Sequence, residues 1–129
     1  MVHGRFAPRP DRVGTPANAP LFGSVRKREH GREGSDEARI HPALGPEESD
    51  VVPTRRHGVG VFSGTGLDLV LRDRSVTTLG LAGVSTDMAI VASSAAAVDL
   101  GYPASSPPTA RRGSPPRSTG WTWSRRYRY

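Results

Sequence analysis

The stretch Gly83-Val84-Ser85-Thr86-Asp87-Met88-Ala89 has the form of an active-site turn. A short apolar run ends in a tight turn and opens an almost wholly apolar helix, so backbone donors and a helix N-terminus converge on one point. Free N–H groups and the positive end of the helix dipole could hold an anion or an oxyanion there. The side chain at that point is Ala89, and a methyl group cannot act as a nucleophile. Arg56 is a second candidate, as an anion-binding residue, although one member of an Arg-Arg pair in a loop also reads as solvated surface. His57 beside it could be a general base or simple polar filler. His3, His30 and His41 lie far apart with no ligand spacing, so no metal site is expected. Gly58-Val-Gly60-Val-Phe-Ser-Gly64 echoes a dinucleotide fingerprint without its spacing, and no lysine is present for a phosphate loop, so no cofactor is expected.

These residues need elements to position them. Val2 and His3 read as a very short strand, followed by a Pro- and Gly-rich loop that can sustain neither a helix nor a central strand. Residues 21–30 suit one or two helical turns, 31–50 are polar and irregular, and 50–53 suit another short strand. Residues 55–66 form a glycine-spaced loop. Leu67, Val70, Leu71 and Val76 then recur with a helical period, with Thr65 as the expected N-cap and Asp68 three residues on in the capping-box position. Residues 77–84 read as a buried strand, and 86–100 as a helix ended by Gly101. Helix, strand, helix with short connections is part of an α/β unit with a parallel sheet.

Composition narrows the classes. With 35% hydrophobic residues in 129, the core must be small. The absence of cysteine excludes disulfides, a Cys-based zinc site and a thiol nucleophile. No apolar run reaches the ~18 residues of a membrane span, and Met1–Pro10 lacks the apolar stretch of a signal peptide. A membrane partner is not expected, and a cytoplasmic location is the default. The net charge of +6 belongs to the C-terminal end. Residues 1–102 hold 12 Lys+Arg against 12 Asp+Glu, whereas 103–129 hold six Arg and no acid. A folded basic face is therefore not expected.

Residues 103–129, rich in Pro, Ser and Arg, are expected to be a disordered tail. Their composition is what a GC-rich gene tends to give when read out of frame. Trp121, Trp123, Tyr127 and Tyr129 interleave with Arg there, so nucleic-acid binding through the tail is an alternative to be weighed, though not the expected partner.

A valine-rich strand, a basic residue, the helix start Phe62-x-Gly64-Thr65-x-Leu67, a strand running into Gly83-Val84-x-Thr86, and a helix closing on Asp99-x-Gly101-Tyr102 follow one another at consistent spacing. Together, 50–102 resembles the isochorismatase-like hydrolases of the cysteine hydrolase superfamily, which includes nicotinamidases. The likeness extends to 1–49, where a strand and long loop precede the motifs. It implies a three-layer α/β/α sandwich with a parallel sheet, and hydrolysis of a vinyl ether or carboxamide bond in a small molecule. It also implies an Asp-Lys-Cys triad: the Cys attacks a carbonyl, the Asp serves as base, and the Lys orients and stabilises charge. The Cys position falls on Ala89 and the Lys position on Arg56, which keeps the charge but not the geometry of lysine. Val84, Ser85, Thr86 and Met88 would form the substrate and oxyanion turn, with a cis bond before Ser85. The Asp would come from a first strand that precedes Met1 in the family.

The expectation is thus a partial domain over 1–102, incomplete at both ends and catalytically inactive. The alternative is a non-catalytic module that holds a small carboxylate. A small-molecule carboxylate or amide is the expected ligand. A homo-oligomer is a further expected partner, because the edge of 77–83 would be left open.

Overall fold

The computed structural model describes residues 1–27 and 31–106. Its first strand pair is parallel: β1 (Arg5–Phe6) lies beside β2 (Thr54–Arg55), in register Arg5–Thr54 and Phe6–Arg55. A bridge between Val2 and Val51 precedes it. The amides of His3, Arg5 and Ala7 donate to the carbonyls of Val51, Pro53 and Arg55 at 2.9, 3.1 and 3.0 Å. Pairing therefore runs to Ala7, well past the Val2–His3 and 50–53 strands expected from sequence. Its interruption has a chemical cause. The next rung would need an N–H from position 53 to meet the His3 carbonyl, and Pro53 has none. The ladder splits there into a bridge and a two-residue pair.

Polar side chains fasten this pair. The buried rings and carboxylates of His3 and Asp50 meet at 3.0 Å (Nε2 to Oδ2), and Asp50 also accepts from the Met1 α-amino group and from the Glu47 amide at 3.0 Å. Arg5 Nε donates to Thr54 Oγ1 at 2.7 Å. The long loop after β1 is pinned by Thr15, 2% exposed, whose hydroxyl donates to the Arg56 carbonyl at 2.8 Å. Helix α1 (Pro20–Lys27) opens on proline, which is tolerated in a first turn, and closes on Arg26 and Lys27, whose charges suit the negative end of its dipole. It buries Phe22 against Phe6, ring centroids 6.3 Å apart.

Helix α2 (Leu67–Asp73) forms where the apolar period places it and buries Leu67 and Leu71. The expected capping box does not form. Gly66 precedes the helix, and the Thr65 hydroxyl donates to the Val61 carbonyl at 2.8 Å while accepting only a long 3.4 Å bond from the Leu67 amide. Asp68 is engaged sideways instead, accepting from Tyr102 Oη at 2.8 Å and from Arg72 Nε at 3.1 Å.

β3 (Leu79–Gly80) pairs in parallel with β4 (Ala104–Ser105). This differs from the sequence reading in two ways. The strand is shorter than 77–84 and is not buried: Thr77, Thr78 and Gly80 are exposed, and Val84 is 79% exposed. β4 also lies beyond Tyr102, in a segment read as the start of the tail. Its pairing is by backbone, with the Leu79 and Leu81 amides donating to the Pro103 and Ser105 carbonyls at 2.9 and 2.7 Å. Pro103 contributes only its carbonyl, so it does not obstruct the ladder. The remainder of the tail, 107–129, lies outside the described residues, as does the end of the 21–30 segment.

Between β3 and the last helix, Thr86–Ile90 forms a wide helical turn that continues into α3 (Val91–Asp99). Gly101, at φ +88°, ends it: the amides of Gly101 and Tyr102 donate back to the carbonyls of Val98 and Ala97, both at 2.9 Å. That is the paired-bond stop expected of glycine after a helix. The core gathers Leu67 and Leu71 of α2 with Ala97 and Tyr102, flanked by Val61, Phe62, Val76 and Leu79. Among the described residues the strands thus form two parallel pairs, and the chain is an α/β protein.

Candidate functional site: a cavity at the Val84–Ala89 turn

Three elements converge on a cavity of about 280 Å³. The 84–89 turn supplies Val84, Ser85, Met88 and Ala89; the ends of β1 and β2 supply Phe6 and Arg55; and one face of α1 supplies Leu21, Phe22 and Val25, with Gly58 and Val59 completing the wall. The pieces meet because α1 packs Phe22 on Phe6, which sits opposite Arg55 in the parallel register. The loop carrying Gly58 and Val59 must run close under α3. A Cβ at Gly60 would stand 3.2 Å from the Ala92 carbonyl carbon, so glycine permits the approach.

The turn itself is locked. The Val84–Ser85 peptide is cis. The Ala89 and Ile90 amides both donate to the Ser85 carbonyl, at 2.9 and 3.2 Å, so the Ala89 amide is spent inside the turn and does not face a ligand as an oxyanion donor. Ser93, 5% exposed, ties this turn to the glycine loop: its hydroxyl donates to the Ala89 carbonyl at 2.6 Å and accepts from the Val61 amide at 3.0 Å. The Thr86 hydroxyl is buried without a hydrogen-bond partner, and Thr86 does not line the cavity.

The sequence-derived candidates separate. Ala89, Val84, Ser85 and Met88 come together on the cavity. Arg56 does not join them. It is exposed on the other side of the strand end, and its guanidinium donates to Glu33 at 3.1 and 3.3 Å. Successive strand residues point to opposite faces, so only one of two adjacent arginines can face the cavity, and here it is Arg55. Arg55 is half-buried, with its guanidinium carbon 5.3 Å from the Phe6 ring centroid and Nε donating a long 3.4 Å bond to the Gly58 carbonyl. Burial pulls its pKa downward from the usual arginine value. His57 faces a different, open depression of about 540 Å³ that also includes Gly14, Thr15 and Arg26. The cavity at the turn is therefore lined by one cation, apolar and aromatic groups and a hydroxyl. Among its lining residues there is no thiol, carboxylate or imidazole. Sequence reasoning missed Phe6, Phe22, Arg55 and Ser93. The register of β1 on β2 is the signal that selects Arg55 over Arg56, and it is not written in the spacing of motifs.

The same arrangement of elements recurs in known proteins. The family model for the isochorismatase domain matches residues 1–110. The isochorismatase family protein YwoC of Bacillus subtilis is 37% identical over 68 residues, which is 53% of this chain and 35% of that protein. A cysteine hydrolase from Pseudomonas syringae pv. phaseolicola superposes with a TM-score of 0.79 at 23% identity, covering 92% of this chain and 55% of the other. N-carbamoylsarcosine amidase from Thermoplasma acidophilum superposes with a TM-score of 0.72, also at 23% identity, covering 88% and 60%. At such identities the superpositions establish the fold. The chain spans about half the length of these structures and about a third of the matched relative. With its motifs in order and its fold shared, the chain belongs to the isochorismatase family.

Proposed function

We propose that the cavity at the 84–89 turn binds a small carboxylate or amide and that this chain does not hydrolyse it. The observation that carries the reading is the methyl group of Ala89, standing on the cavity at the position where the family resemblance puts the nucleophile. Covalent catalysis needs a nucleophile with a base in hydrogen-bond reach. The Ser85 hydroxyl lines the cavity, but no base is among the lining residues to activate it, since His57 faces elsewhere and Arg56 is paired with Glu33. What the cavity retains is the binding half of such a site: a small, mostly apolar recess with one fixed cation, which matches the usual make-up of a small-molecule pocket. The amidase named among the structural neighbours makes an amide a reasonable probe beside a carboxylate.

The test is equilibrium dialysis of benzoate and benzamide against the wild-type chain and Ala89→Leu, whose added bulk fills the cavity floor. Saturable uptake of at least one probe, lost in Ala89→Leu while the circular dichroism spectrum is unchanged, is the expected result. Uptake of both probes that is indifferent to Ala89→Leu would place binding elsewhere and overturn the reading.

A further inference from the structure

Of the arginines in the described residues, Arg9, Arg39, Arg56 and Arg72 each face a carboxylate, on Asp11, Asp36, Glu33 and Asp68. Arg55 does not. It is half-buried, and among the described residues its contacts are the Phe6 ring and the Gly58 carbonyl. Burial is the cause acting on its pKa, with no neighbouring carboxylate opposing it. A guanidinium partly taken out of water without an anion is costly, and the group that would compensate it is a planar anion that accepts two of its N–H donors side by side. The rest of the cavity fixes the body that carries this anion. Phe6 and Phe22 stand 6.3 Å apart and tilted by 50°, and Leu21, Val25 and Met88 complete an apolar wall. The volume of about 280 Å³ lies at the lower end of small-molecule pockets and admits one ring with one substituent.

Resting on the reading of this cavity as a binding site, we infer that its ligand class is a flat, apolar monocarboxylate, and that Arg55 is the residue that selects the charged form over the neutral amide. The carboxylate meets the free edge of the Arg55 fork while the ring lies against Phe22 and Met88, and Phe6 holds the guanidinium from its other face. A dicarboxylate is disfavoured because its second charge would lie against the apolar side chains of Leu21 and Val25, with no second cation among the lining residues. A neutral amide of the same shape fills the same space but leaves the cation uncompensated. Arg56 takes no part, being held by Glu33.

Isothermal titration with benzoate, benzamide and succinate tests this on the whole chain. Benzoate is expected to bind about tenfold or more tightly than either benzamide or succinate, since a charge-assisted hydrogen-bonded pair is worth at least that factor. Arg55→Gln should bring benzoate down to the level of benzamide, Arg55→Lys should recover only part of the difference because it keeps the charge without the fork, and Arg56→Gln should leave it unchanged. Equal affinity for benzoate and benzamide in the wild-type chain overturns the inference without any variant, and so does benzoate binding that survives Arg55→Gln. If both probes bind equally and both are lost in Ala89→Leu, the cavity reading stands and the role of Arg55 alone fails. If benzoate shows no saturable binding at millimolar concentration, the inference fails.

Discussion

Around β1 and β2 the fold is fastened by polar groups: His3 on Asp50, Arg5 on Thr54 and Thr15 on the Arg56 carbonyl, all bridging segments more than forty residues apart. Around α2, α3 and β4 it is fastened by apolar packing of Leu67, Leu71 and Ala97, with polar ties from the Tyr102 hydroxyl to Asp68 and from Arg72 to the Leu100 carbonyl at 3.0 Å, and with the Tyr102 ring stacked 6.5 Å from Phe62. The cavity lies where the two regions meet, drawing Phe6 and Arg55 from the first and Ala89 from the second. A chain with few hydrophobic residues thus builds its site from two kinds of fastening. It concentrates apolar burial under one helix pair and uses buried hydrogen bonds to hold the other wall in register.

Breaking the apolar region should have the largest effect. Leu71→Ala removes a side chain that is 4% exposed and should cost about 2–5 kcal/mol. For a core this small that is a large share of the total, and the urea midpoint should fall steeply or the cooperative transition disappear. Breaking the joint between the regions comes next. Ser93→Ala leaves the Ala89 carbonyl and the Val61 amide without their shared partner, for about 1–3 kcal/mol, read from the same urea titration. Benzoate affinity should fall as well, because the turn loses its tie to the loop that carries Val59.

The polar region should reveal itself through pH. The Met1 amino group, the Glu47 amide and the His3 ring hold the Asp50 pKa well below the usual carboxylate range. A carboxyl whose folded pKa is depressed adds stability above its unfolded pKa, near ~3.9, and that stability is lost as pH falls from there toward the folded value. Urea midpoints should therefore drop on acidification below about pH 4, and Asp50→Asn should make that fall shallower while leaving the Tyr102 region intact. Some slope should remain, because Arg9 holds Asp11 down to about 2 and the Tyr102 hydroxyl and Arg72 lower Asp68. An unchanged acid profile in Asp50→Asn would mean that the His3–Asp50 pair does not fasten the first region.

The two regions also differed in how far their sequences disclosed them. The helices of the apolar region were legible, since the Leu67–Leu71 period gave α2 and Gly101 gave the end of α3 with the pair of bonds its position implies, whereas its capping box and its buried strand over 77–84 did not form as expected. The turn at 84–89 was legible as well, in that Val84, Ser85, Met88 and Ala89 come together on the cavity. The polar region was not. His3, Asp50 and Thr15 carry no periodic signal, and the choice between Arg55 and Arg56 depends on a strand register fixed by backbone bonds and by the missing N–H of Pro53. β4 was hidden for the same reason, since Ala104 and Ser105 pair through their backbones and no apolar pattern marks them.

If this cavity binds a ligand without hydrolysing it, as proposed, steady-state turnover shows it. Purified chain is incubated with isochorismate, nicotinamide and N-carbamoylsarcosine, and product release is followed against buffer. Release no faster than in buffer is expected for all three, because no nucleophile paired with a base lines the cavity, and without one most of an enzyme's acceleration is absent. Saturable hydrolysis that co-purifies with the chain and disappears in Ala89→Leu would contradict the proposal.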